Sequence, residues 1–257
     1  MFKNIRIMFL LYVLLLVAAV SWLAKARTTD WDKPLNVVVY SINGDGSEVS
    51  KQYIDELERE DFDTIEAFFS EQASHYNLKL KNPVDVAFAG ELNEQPPLPP
   101  TNASTLSIII WSLKLRYWAW SVDEYPYQQD VTIFVKYFDP ETSPTVAHSL
   151  GLQKGLLGVV NAFARNDMKQ GNNIIIAHEL LHTVGATDKY DLSTNKPIYP
   201  IGYAEPYKEP VYPQDKAEIM GGRIPISESE IEQPHKFQQV LIGKETAHEI
   251  NWVVISN

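Results

Sequence analysis

The hydrophobic positions fall into runs with distinct periods. Leu35–Ile42 (LNVVVYSI) is a continuous, β-branched stretch of strand length and predicts a buried strand. Asn43-Gly44-Asp45-Gly46 follows it and predicts a turn. From Lys51 to Tyr76, Ile54, Leu57, Ile65, Phe68 and Phe69 give one helix an apolar side, with Ser47 or Ser50 as its cap. Val84–Ala89 predicts a short strand, and Pro96, Pro97, Pro99 and Pro100 predict a stiff surface loop. Ser104–Trp120 is apolar and free of Gly and Pro, which predicts a long helix with Trp111, Trp118 and Trp120 packed in the core. Val131–Phe138 reads as a strand, and Leu156–Val160 as another. A helix carrying Ile174–Val184 follows, capped by Asn172 or Asn173. Asp188–Ile224 is rich in Pro and Tyr and predicts a long irregular segment of the kind that often carries function. Glu228–Trp252 reads as helical. Together these elements predict an α+β fold: a mixed β-sheet with a long helix, an active-site helix and an irregular C-terminal lobe.

The first apolar run, Ile7–Ala24, sits between Lys3 and Arg6 on one side and Lys25 and Arg27 on the other. It is near the lower limit for a spanning helix and longer than a usual secretory core. Ala24-Lys25-Ala26 resembles a cleavage signal. The expectation is a signal anchor or signal peptide over 1–27, with one domain over 28–257 outside the cytoplasm. That domain is membrane-anchored through a single N-terminal helix, or secreted or periplasmic if the N-terminus is cleaved.

Acidic residues outnumber basic ones, 33 to 22, and the net charge is −11. That balance argues against nucleic acid, which needs a basic surface. The chain has no cysteine, so disulfides, thiol nucleophiles and thiolate ligands are absent.

One segment carries chemistry. His178-Glu179-Leu180-Leu181-His182 is H-E-x-x-H inside an apolar helical run. The i, i+4 spacing stacks both imidazoles on one face, where they can reach one zinc ion at about 2.0–2.1 Å. Glu179 stands beside the first ligand as general base toward a zinc-bound water. Buried His and Glu without partners are costly, and Zn2+ would supply the partner. A catalytic zinc takes a third protein ligand. Gly185 can end the helix in a left-handed conformation and let the chain bring Asp188 back toward the metal. Asp191, Glu205, Glu218, His235 and His248 are rivals for that place, the two histidines being expected at the surface.

His178 to Asp188 (HELLHTVGATD) resembles the extended metzincin motif, with Asp188 where the third histidine stands, as in the snapalysin-type peptidases. Glu218-Ile219-Met220-Gly221-Gly222 resembles the methionine turn of that family, and the order of elements before the helix is similar. The resemblance implies a zincin-like fold and a zinc-dependent metallohydrolase, an endopeptidase acting on a peptide or protein substrate. It is specific over 174–188, suggestive over 218–222 and architectural elsewhere.

The expected function is therefore metal-assisted peptide hydrolysis, with His178, His182 and Asp188 as ligands and Glu179 as catalytic base. If 156–160 is an edge strand, an extended peptide can pair with it. Tyr190 is a candidate to stabilise an oxyanion, with Tyr199, Tyr203, Tyr207 and Tyr212 behind it. The alternative is a zinc-containing envelope binding or maturation module with little or no turnover.

Overall fold

A computed structural model describes residues 5–12, 14–15, 27–100, 104–152 and 156–253. Its elements in chain order are β1 (Leu35–Asn43), α1 (Glu48–Asp55), α2 (Asp63–His75), β2 (Val84–Glu91), α3 (Thr105–Val122), β3 (Val131–Phe138), β4 (Leu150–Leu152), β5 (Leu157–Phe163) and α4 (Lys169–Thr183). Two-residue strands follow: β6 (Ala217–Glu218), β7 (Ile224–Pro225), β8 (Ile231–Glu232) and β9 (Val240–Leu241), then α5 (Lys244–Glu249).

Five strands form one mixed sheet in the order β2-β1-β3-β5-β4. The first four run parallel, and β4 pairs antiparallel with β5. A parallel sheet must be covered on both faces, which explains the unbroken apolar runs of β1 and β3. On one face, α1, α2 and α4 bury Ile54, Phe62, Ile65, Phe69, Ile176 and Leu180 against Val37, Val39, Ile133 and Val135. The other face holds a smaller cluster of Val38, Tyr40, Ile42 and Phe134 beneath Val122 and Trp118 of α3. The α+β class expected from the sequence is therefore observed as a mixed sheet with several helices.

Several expectations need correction. The helix over Lys51–Tyr76 is two helices. Ser47 caps the first, accepting from Ser50 N. At Glu58 the chain becomes extended, and Glu58 N donates to the Asp61 carboxylate, restarting the helix with a capping box. Asn172 and Asn173 lie within α4 and cap nothing. Asn172 exchanges two hydrogen bonds with the backbone of Phe163, and Asn173 donates to Asp61 O and Thr64 Oγ1. They dock α4 onto the sheet and α2. Leu156–Val160 is not an edge: β5 is covered by β4, which is the edge strand. Glu228–Trp252 is helical only at a short turn over Phe237–Gln239 and at α5. Its apolar run Val240–Ile242 enters a strand, and Gly243 precedes the helix.

Helix α3 is present as expected, with Ser104 as its cap. Its tryptophans divide: Trp118 packs on Phe134 at 4.7 Å, Trp111 Nε1 donates to Pro97 O, and Trp120 is 73 % exposed. The expected core packing fails for Trp120 because only one side of α3 rests on the sheet. Leu106, Ile110, Leu113 and Tyr117 are exposed with it.

The membrane anchor is also corrected. Among the described residues no helix is long and apolar enough to cross a membrane. Within the run Ile7–Ala24, helix is described through Tyr12 and at Leu14 and Leu15. The rest of that run and Ala24-Lys25-Ala26 lie outside the described residues. A single-pass localisation is not supported.

Candidate metal centre

Helix α4 crosses beneath β5 and β4 with Glu179, Leu180 and Leu181 buried. Its face toward the open side presents His178 and His182, whose rings lie 4.8 Å apart. The helix ends at Thr183, and Gly185 takes φ +115°, a conformation that glycine tolerates and that turns the chain back. Asp188 then meets both histidines. Its Oδ1 lies 3.2 Å from His178 Nε2 and 3.2 Å from His182 Nε2.

The opposite ring nitrogens are fixed by the backbone. His178 Nδ1 lies 2.9 Å from Ile219 O, and His182 Nδ1 lies 2.9 Å from Ala186 O. A carbonyl only accepts, so each Nδ1 carries the proton and donates it. Both Nε2 atoms are then directed at the same point, the arrangement a ligated histidine needs once Nε2 gives up its proton. The partner of His178 belongs to the Glu218–Gly222 turn. Met220 is fully buried, and its carbonyl accepts from Lys189 N, next to Asp188.

That turn is built on Glu218. Its carboxylate is buried and accepts from Gly221 N, Gly243 N and Thr246 Oγ1. Burial pushes its pKa up, opposed by those donors. Glu218 is thereby committed to scaffolding and is not a ligand. Asp191 caps its own turn through Ser193 and Thr194, and Glu205 is held through its backbone by Gln214. His235 and His248 are exposed, as expected. Of all the candidates, the structure brings together His178, His182 and Asp188, with their ligating atoms within 4.8 Å of one another.

A second clamp holds Asp188 from behind. Thr187 donates twice to Glu249 of α5, and the buried Lys189 Nζ lies 2.7 Å from the same carboxylate. Both neighbours of Asp188 are thus tied to one side chain.

Glu179 is 5 % exposed and lines the cleft. Its Oε2 has no hydrogen-bond partner among the described residues. That oxygen is buried close to Gly151 of β4; buried carboxylate oxygens are normally satisfied, so an unpartnered one on a cleft-lining residue marks a place where something polar binds. Burial pushes the Glu179 carboxyl up, with His178 and His182 opposing. Burial also pushes Asp188 up, but the hydrogen bonds to His178 and His182 outweigh this and hold it well below the usual range. For His178, burial favours the neutral ring, and the Asp188 bond and the Glu179 charge reverse that. A cation at the Nε2 atoms competes with that proton.

The donor set fits zinc: two imidazole nitrogens and one carboxylate oxygen, with no thiolate and no fourth protein donor in the group. The unpartnered Glu179 oxygen beside it fits an open, catalytic site better than a closed structural one.

The cleft has a volume of about 480 Å³. Its walls are the segment before β4 (His148, Ser149), Asn161 on β5, Tyr190, and the turn from Ile219 to Arg223. Gly151 of β4 sits directly on α4: a Cβ there would lie 2.4 Å from Glu179 O and 2.6 Å from His182 Cβ. Tyr190 is the one tyrosine of the expected set that lines this cleft. Burial and the nearby Asp188 push its phenol up to about 12. Tyr199, Tyr203, Tyr207 and Tyr212 lie elsewhere: Tyr203 and Tyr212 bond each other, and Tyr199 donates to Pro206 O. Sequence reasoning missed Gly151, Arg223 and the Glu249 clamp. Only Arg223, directly after the Glu218–Gly222 turn, had a local signal.

No protein-family model and no curated protein matches this chain.

Proposed function

We propose that the chain is a zinc-dependent peptidase of the metzincin kind, with His178, His182 and Asp188 as metal ligands and Glu179 as general base. The observation that carries this reading is the convergence of two Nε2 atoms on Asp188 Oδ1 beside the unpartnered Glu179 oxygen. The fold supports it. A mixed sheet with several helices, and the motif on a helix packed against that sheet, agrees with the fold class that the resemblance implies. The buried Met220, in the turn that holds His178, supports it too.

A bound zinc supplies Lewis-acid chemistry, polarising a carbonyl and acidifying a water. The residues do the rest. An extended peptide adds to the outer edge of β4, which has no partner strand among the described residues. Glu179 takes the proton from the attacking water at Oε2 and returns it to the leaving amine. Its raised pKa brings it nearer to a balance between the two tasks. Tyr190 stays protonated at neutral pH and donates toward the oxygen that gains charge at the scissile carbonyl.

The test is hydrolysis of a peptide mixture by the zinc-loaded protein and its Glu179→Gln variant, read by mass spectrometry. Cleavage by the first and a loss of at least about 100-fold in the second is expected for removal of a general base. Equal cleavage by both would overturn the reading.

A further inference from the structure

Arg223 is unexplained by the metal centre. It lines the same cleft as His178, Glu179 and Tyr190, at the end of the turn that holds His178. Its side chain is partly buried, and among the described residues it makes one hydrogen bond, from Nη1 to the carbonyl of Gly222. Among the described residues no carboxylate lies within ion-pair distance of it; Arg27, Arg59 and Arg165 have such partners, and of the arginines without one, Arg6, Arg116 and Arg223, it is Arg223 that lines this cleft. The chain carries 33 acids against 22 bases, so an arginine without an acid is not explained by scarcity.

The cleft accentuates this. Arg223 is the only Arg or Lys on its described lining, and Glu179 is the only acid there. Glu179 belongs to the reacting centre and lies next to His178. The remaining walls are neutral, with His148, Asn161 and Gln233 among them. A guanidinium withdrawn from water loses hydration, and its planar fork of donors is best satisfied by a carboxylate. Burial already pulls its pKa down, yet an arginine stays charged. The turn is also rigid where it matters. Gly221 N and Gly222 N both donate to Glu218 O, and the Glu218 side chain is locked by three donors.

We infer that Arg223 is a specificity residue that binds a carboxylate of the peptide substrate, so that the cleft selects acidic peptides. The inference rests on the peptidase reading for its consequence in turnover, but it also makes a claim about binding alone. The carboxylate has two sources, an Asp or Glu side chain near the scissile bond or the free C-terminus of a short peptide. Both present the same planar anion to the guanidinium.

The experiment uses the full chain loaded with zinc. Matched peptides carry Glu, Gln or Ala at each position around a cleavable bond, each with a free and an amidated C-terminus. The ratio of kcat/KM for acidic over neutral peptides is read for the wild type, R223Q and R223K. The expected result is an acidic preference of about tenfold or more, lost in R223Q and partly kept in R223K. A preference that follows the Glu side chain identifies an internal acid; one that follows the free terminus identifies C-terminal recognition. Either supports the inference. An absent preference, or one unchanged in R223Q, overturns it while leaving the peptidase reading intact. Binding of the same peptides to E179Q and to E179Q/R223Q, by calorimetry, separates the two claims. Acid-selective binding that disappears with R223Q, when the zinc-loaded wild type cleaves none of the peptides, keeps the inference and overturns the peptidase. Binding without acid selectivity, or no binding at all, overturns the inference.

Discussion

Glu249→Ala probes how the ligand loop is held. Glu249 accepts from Thr187 N at 3.0 Å, Thr187 Oγ1 at 2.6 Å and Lys189 Nζ at 2.7 Å. Lys189 is 1 % exposed, and without Glu249 its ammonium keeps only the bond to Thr187 O. Removing one partner of a buried ion pair costs about 3–5 kcal/mol. Glu249 is open to water on one side, so solvent replaces part of the loss, and about 2–3 kcal/mol at neutral pH is expected. The assay is urea unfolding in the presence of a chelator, so that metal binding does not enter. K189M/E249L, which replaces the pair with apolar groups, should recover most of the loss. The pH dependence has a definite sign. Burial pushes the Glu249 carboxyl up, but Lys189 and Thr187 outweigh this and hold it below its ordinary value. Its contribution is therefore present above the ordinary glutamate range and is lost as pH falls through the folded value. The gap between wild type and E249A should narrow on acidification. A cost below about 0.5 kcal/mol, the range of plain surface changes, would refute the clamp.

Two further outcomes follow from the contacts around α4. Gly151→Ala should lower stability by about 1–3 kcal/mol, because its Cβ meets the backbone of Glu179 and the Cβ of His182 on a rigid helix; thermal unfolding checks this, and an unchanged melting temperature would count against the close packing of β4 on α4. Asn172→Leu should cost about 1–2 kcal/mol, since the Phe163 N–H loses its partner at a part-buried position while the Phe163 carbonyl still accepts from Arg165 N; denaturant unfolding reads it, and a neutral result would mean that water replaces the lost bonds.

The parts of the site within one helical turn were legible in the sequence. The spacing of His178 and His182 encodes one face of a helix, and Gly185 signals the return that brings Asp188 back. What the rings hydrogen-bond to was not legible. Ile219 O is 41 residues from His178, and a backbone carbonyl leaves no mark in the sequence. The strands β1 and β3 were readable because a doubly covered strand is apolar throughout. The edge strand itself was not legible because β4 has only three residues, Leu150–Leu152, too few to show a period. Asn172 and Asn173 mimicked caps because the same side chains that cap helices also bridge to neighbouring backbone. Glu228–Trp252 failed for the opposite reason: its short strands and α5 are set by Glu218 and the core, through contacts distant in sequence.

The most direct test of the metal centre is the metal content of the purified chain after exposure to zinc, measured beside a H178A/H182A variant. One zinc per chain, lost in the variant and weakened in Asp188→Asn, is the predicted result. A chain that takes up no zinc, or holds it equally well without the two histidines, would contradict the account.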